Sequence, residues 1–353
     1  MWSALLLLGL YSGSALAHPP RLNDLAVKAG KLWFGTAADI PGTAETTDAA
    51  YLKLLKENFG EVTPANAMKF MYTEPQQGVF NFTEGDHLVE LAHHNHQQIR
   101  CHNLVWVSEL SDFVLSTNWT RDALIEVMRE HIFRTVQHFG SNCYSWDVVN
   151  EALNGDGTFS SSVWYNTIGE DYFFLAFKFA QDALDEIGAQ HVKLYYNDYG
   201  IENPGSKVDA VINLVDELRS RNIRIDGIGL ESHFVVGGTP SLADQVATKS
   251  AYIQAGLEVA ITELDIRFSQ GPFYTADAER QQASDYYTSV ASCVEVGQGC
   301  IGVVVWDFDD AYSWVPGTFA GQGGADLFNA TLEVKPAYYA VADALKTVPC
   351  SVC

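Results

Sequence analysis

Positive charge is scarce in this chain. Lysine and arginine total 21 against 44 aspartates and glutamates, a formal net charge of −23 at pH 7. Such a surface repels polyanions, so nucleic acid and anionic membrane are excluded as partners. Proline (11) and methionine (4) are few, and no stretch rich in Pro, Ser or Thr marks a linker between domains. Past the N-terminus, no run reaches the roughly 18 uninterrupted apolar residues that a membrane span requires. Gly-rich phosphate loops and a Ser-His-Asp order are missing. His93, His94 and His96 lack a nearby cysteine or acidic partner, and Asn154–Gly157 lacks the remaining positions of a calcium loop. No metal and no cofactor are therefore expected.

What remains is an ordinary globular composition, 47% hydrophobic over 353 residues, enough for one large core. Residues 1–17 hold the apolar run Ala4–Leu10 and end in Ser14-Ala15-Leu16-Ala17, which reads as a signal peptide with cleavage after Ala17. The mature chain, 18–353, is expected to be a single secreted, monomeric domain. Three Asn-x-Ser/Thr sequons, at Asn81, Asn118 and Asn329, fit that route as glycosylation sites. So does the even number of cysteines, six. Cys293 and Cys300 flank a short loop with two glycines, and a local disulfide is expected there. Cys101 lies before His102 in one strand-like run and Cys143 opens the next, and the two have the option of pairing across neighbouring strands. The partners of Cys350 and Cys353 stay open.

Eight nearly continuous apolar runs read as strands buried on both faces: Leu32–Ala37, Val62–Met68, Ile99–Trp106, Tyr144–Glu151, Val192–Asp198, Ile225–His233, Val259–Ile266 and Ile301–Phe308. Helix-period segments lie between most of them. Arg121–Phe139 carries apolar residues at Leu124, Ile125, Val127, Met128, Ile132, Phe133 and Val136, close to a 3.6-residue period. Asp171–Ile187, Lys207–Leu218 and Asp48–Phe59 behave similarly, the last with Thr46 and Thr47 as candidate caps. Eight β-then-α units imply an α/β fold, a (β/α)8 TIM barrel whose site lies at the C-terminal ends of the strands.

Two of those strand ends carry glutamate: Glu151 closes Tyr144–Glu151, and Glu263 lies in Val259–Ile266, 112 residues on. A carboxylate ending a buried strand must be paired, hydrogen-bonded or used, because an unpaired buried charge is costly. Paired carboxylates at a barrel mouth suit glycoside hydrolysis. The bland alternative is a pair of structural carboxylates held by Arg or Lys.

The text around them is more specific. Trp146–Glu151 and Ile261–Asp265 resemble the two signatures of family 10 glycoside hydrolases, the xylanase family. Matches continue in order through Asn66–Lys69, Glu74-Pro75, Ile99–Trp106, Tyr196–Tyr199, Ile225–Gly229 with His233, Val305-Trp306 and Ser313-Trp314. The resemblance implies a retaining glycosidase with Glu263 as nucleophile and Glu151 as acid/base. It places Asn150 on the sugar 2-hydroxyl. It also implies that His233 orients the nucleophile, with Asp265 behind it, and that Asn66, Lys69, His102 and Trp106 line the non-reducing side. Trp306 and Trp314 would stack on sugar, and Tyr199 would sit on the leaving-group side. Without the resemblance, the tryptophans read as core.

The chain departs from the family text at Ala65 and Phe70, where Glu and Trp are usual, and at Val107, Glu109 and Asp309-Asp310. It also has Glu231 where Gln is usual, a third carboxyl beside the pair, and it lacks the Arg that follows Trp314. These changes touch sugar subsites and spare the glutamates. They resemble the fungal branch that includes tomatinase, which strips sugars from a plant saponin. The expected function is endo-1,4-β-xylanase acting on plant cell-wall xylan. A saponin glycosidase and a non-catalytic carbohydrate-binding barrel are the alternatives.

Overall fold

The computed structural model describes residues 19–38, 44–271 and 274–353. The expected signal peptide lies outside them. Among the described residues nine strands form the barrel: β1 (Trp33–Ala38), β2 (Glu61–Pro64), β3 (Gln98–Val105), β4 (Ser145–Asn150), β5 (Lys193–Asp198), β6 (Gly227–Leu230), β7 (His233–Val235), β8 (Glu258–Arg267) and β9 (Cys300–Val305). Every pairing is parallel, β1 meets both β2 and β9, and β6 meets β8. The ring is therefore closed, with β6 and β7 as two parts of one of its eight staves. A helix follows each stave, from Ala49–Asn58 after β1 to Pro336–Leu345 after β9. This is the single-domain (β/α)8 barrel.

Two local readings change. The second strand ends at Pro64 rather than Met68. Proline has no N–H for the ladder, and the chain turns there toward a short helix at Phe70–Thr73. The helix Ala49–Asn58 is capped by Asp48, whose Oδ1 accepts from the N–H of Ala50 (2.9 Å) and Tyr51 (3.1 Å), and not by Thr46 or Thr47. A carboxylate at that position also complements the helix dipole. The helix Arg121–Phe139 has the bounds its periodicity gives, with Thr120 as cap.

Large side chains plug the lower barrel, where Trp33, Tyr195, Ala260 and Val304 pack together. Gly227 and Gly302 make room for them, since a Cβ at either would overlap the ring of Tyr195 or of Trp33. Above this plug the interior turns polar. Arg100 on β3, fully buried, is ion-paired with Asp147 on β4 and donates from Nη2 to the Thr262 carbonyl on β8 (3.1 Å). Its backbone N–H reaches Glu61 on β2 (3.2 Å). A buried arginine needs such partners, and they tie four staves together just below the mouth. Disulfides join Cys101 to Cys143, Cys293 to Cys300 and Cys350 to Cys353, with Cα separations of 5.6, 5.3 and 5.6 Å.

Candidate active site

Strand ends converge on a cleft of about 500 Å³, lined by Lys69, His102, Trp106, Asn150, Glu151, Tyr199, Glu231, His233, Glu263, Trp306 and Trp314 among others. Asn66 is not part of the lining. Its side-chain oxygen holds Lys69 Nζ at 2.8 Å, and Lys69 in turn lies 5.0 Å from the Trp106 ring centroid. Ala65 packs with Ala37 and Trp306.

The centre is Glu263 on β8. Its Oε1 accepts from Asn197 Nδ2 (2.8 Å), and its Oε2 lies 3.2 Å from His233 Nε2. Arg100 and His102 approach Oε1 to 3.9 and 4.0 Å. Burial alone would raise its pKa, yet the His233 hydrogen bond, with His102, His233 and Arg100 as neighbours, prevails and holds it down at about 2. Glu263 is therefore ionised throughout the neutral and mildly acidic range. His233 is itself kept protonated. Burial opposes its charge, but Asp265 Oδ2 at 2.7 Å from Nδ1, together with Glu263, raises its pKa to about 10. Asp265 Oδ2 also accepts from Trp314 Nε1 (2.7 Å), so one carboxylate fixes both the imidazole and the indole.

Glu151 has the opposite environment. It follows the last residue of β4 with φ at 53°, in the left-handed region that non-glycine residues seldom enter. Its N–H donates to the Asn197 carbonyl on β5 (3.0 Å). Desolvation by burial raises its carboxyl pKa to about 7; the Trp106 indole pulls the other way, and the charge of Glu263 adds to the rise. Two carboxyl groups in one cleft thus hold different protonation states across the same pH range, the separation that acid–base and nucleophilic roles need.

Asn197 links the staves, a role the sequence does not announce. Its Nδ2 lies 2.8 Å from Asn150 Oδ1, 3.1 Å from Glu231 Oε1 and 2.8 Å from Glu263 Oε1. Its Oδ1 accepts from Thr262 (2.7 Å). Gly229 on β6 makes this possible, since a Cβ there would overlap Asn197 Oδ1. Glu231 is buried beside this amide, and desolvation, with the charges of Glu263, Glu151, Asp198 and Glu202, drives its pKa well up. It is a neutral acid within the site. Ser232, at φ 63°, breaks the stave between β6 and β7; its N–H donates to the buried Glu202 (2.8 Å), which sets the turn carrying Glu231 and His233. Asp198, with its pKa raised to about 6 by burial, holds Lys207 at 2.7 Å. Tyr199 is half exposed, with Lys207 Nζ 4.1 Å from its ring centroid. Arg100 and Asp147 had one legible signal: charged residues inside apolar strand runs need each other. Asn197 had its place at a strand end and within the matched text Tyr196–Tyr199, and neither tells of these partners.

The sequence of residues 21–344 matches the model of Glycosyl hydrolase family 10. The chain is 46% identical over 328 residues to endo-1,4-β-xylanase D of Talaromyces funiculosus, covering 93% of this chain and 78% of that enzyme. It is 43% identical over 337 residues to endo-1,4-β-xylanase 5 of Pyricularia oryzae, covering 94% and 81%. Among solved structures, the Penicillium canescens endo-1,4-β-xylanase XylE superposes with a TM-score of 0.94 at 73% identity, covering 95% of this chain and all of that one. A family 10 xylanase from Bispora sp. MEY-1, solved with xylobiose, gives 0.88 at 50% identity over 92% and 99% of the two chains.

Proposed function

The chain belongs to glycosyl hydrolase family 10, and from that premise we propose that Glu263 is the nucleophile and Glu151 the acid/base of its reaction. The activity is that of a retaining endo-1,4-β-xylanase, with a plant polysaccharide as substrate. The observation that carries the two roles is the opposed electrostatics of the pair, about 2 for Glu263 and about 7 for Glu151.

In the first step the Glu263 carboxylate attacks the anomeric carbon of the bound sugar. The C1–O bond to the departing chain breaks, and its oxygen takes the Glu151 proton. A glycosyl ester on Glu263 results. In the second step Glu151, now a carboxylate, removes a proton from water. The water oxygen bonds to C1, and Glu263 leaves as carboxylate. Two inversions give net retention. His233 and Asn197 hold the nucleophile in place, and Asn150 sits beside the reacting sugar. Trp306 and Trp314 provide stacking faces, with Lys69, His102 and Trp106 on the non-reducing side and Tyr199 on the other. The saponin alternative draws on the departures at Ala65, Phe70, Val107, Glu109, Glu231 and Asp309-Asp310 and on the missing Arg after Trp314; the catalytic pair does not need it.

The chain is further proposed to be secreted and monomeric. The apolar run Ala4–Leu10 supports export, and no helix among the described residues is long and apolar enough to cross a membrane. Asn81 and Asn118 are exposed; Asn329 is half-buried, with Nδ2 donating to Glu333 (3.2 Å).

Variants test the roles. Glu263→Gln abolishes turnover of xylan and of aryl xylobiosides alike. Glu151→Ala loses xylan turnover but retains activity on substrates whose leaving group needs no proton, and azide restores part of the rate by giving a β-glycosyl azide. The reverse pattern would assign the roles the other way round.

A further inference from the structure

Arg267, the last residue of β8, lines the same cleft as the glutamates. Among the described residues, seven of the ten arginines ion-pair with a carboxylate within 4.0 Å. Arg267 has no carboxylate partner among them, although acidic residues outnumber basic ones two to one. Neutral groups fix it among the described residues. Nε donates to Gln322 Oε1 (2.8 Å), Nη1 points at the Phe234 carbonyl (3.4 Å), and the guanidinium carbon lies 4.0 Å from the Phe319 ring centroid. Phe319 packs edge-on against Trp314, with centroids 5.5 Å apart. The cation is thus held rigidly while Nη2 has no partner among the described residues. An anchored guanidinium with free N–H groups is a receptor for a planar oxyanion.

Its place selects the ligand. Residues alternate faces along a strand, so Glu263, Asp265 and Arg267 share one face. Four residues of extended chain put Arg267 about 13 Å farther along β8 than Glu263, beyond the reacting sugar. In the ring, β8 stands across the barrel from β3, which Trp106 follows. Trp106 is assigned to the non-reducing side, so Arg267 faces the leaving-group half, with Phe234, Gly238 and Pro240 beside it.

We propose that Arg267 is a specificity residue that binds the carboxylate of a uronic-acid side group borne by the xylan chain in the leaving-group half of the cleft. The inference rests on the xylanase reading above. It gives a chain of charge −23 a means to accept an anionic polymer that its surface otherwise repels.

The test compares glucuronoxylan with the same polymer after its carboxyl groups are reduced to alcohols, using wild type, Arg267→Met and Arg267→Lys. Wild type is expected to favour the acidic polymer in kcat/KM. Arg267→Met should lose about tenfold on it, as expected for loss of a charge-assisted contact, and stay within about twofold on the reduced polymer, where that contact is absent. Arg267→Lys should fall between. Mass spectrometry of the products should find the uronate near the new non-reducing end in wild type, and this placement should be lost in Arg267→Met. Equal losses on both polymers, no loss on either, or an unchanged uronate position would overturn the proposal. Failure of wild type on unsubstituted xylan would instead overturn the substrate reading.

Discussion

At the residue scale, the proposed mechanism depends on two carboxyl groups that differ in charge although they share a cleft. In it Glu151 carries its proton and Glu263 has lost its own. The competent form therefore exists between their pKa values, about 2 and about 7. The pH profile of kcat/KM should fall above an apparent pKa near 7 as Glu151 deprotonates, and on the acid side only as Glu263 protonates. Part of the Glu151 elevation comes from the Glu263 charge, and the larger part from burial. In a Glu263→Gln variant, followed by carbon-13 NMR, the Glu151 pKa should drop but stay above the ordinary glutamate value. An unchanged Glu151 would mean that the two groups do not interact. Both glutamates, Asn150, His233 and Asp265 were legible in the sequence because they sit in strand ends with a recognisable text. Their charges were not. Those depend on the burial of Glu151 and on His233, His102 and Arg100 around Glu263, and such surroundings arise only when the ring closes.

At the scale of elements, the site is held by strand spacing rather than by loops. The helices and most strands could be read from periodicity, because one face or both faces are buried along their whole length. The misread element is the second strand, where an apolar run through Met68 hides the stop at Pro64. The stave divided into β6 and β7 also had no local signal, since its break at Ser232 is set by Glu202, 30 residues away. Gly229 marks where β6 lets the Asn197 amide through. Gly229→Ala should push that amide off Glu263, Glu231 and Asn150 together. Because a shift of about 1 Å in a positioned group costs on the order of 100-fold, kcat should drop to that extent. KM and the melting temperature should change much less. A variant with normal kcat would show that the amide is not a positioning group.

For the whole molecule, the acidic residues set the response to pH. Glu61 and Asp309 are raised to about 7 by burial and Asp198 to about 6, while Glu231 and Asp326 are driven higher. In the folded state these groups hold protons that the unfolded chain has released above about pH 4.5. The native state therefore binds more protons, and stability falls as pH rises from about 5 to 7.5. His233, raised to about 10, acts in the same direction above 6.5. The buried His102 and His131, lowered by desolvation, oppose it, but they are fewer. Calorimetry should give a higher melting temperature at pH 5 than at pH 7.5; the reverse order would mean that these carboxyls are ionised in the fold. The central claim, a covalent step on Glu263, is tested most directly by trapping. A 2-deoxy-2-fluoro-β-xylobioside with a dinitrophenyl leaving group slows the second step more than the first. Intact-mass analysis should show one fluoroxylobiosyl unit added per chain, and peptide mapping should place it on Glu263. A label on Glu151 or Glu231, or turnover with no adduct and with inverted product, would contradict the account.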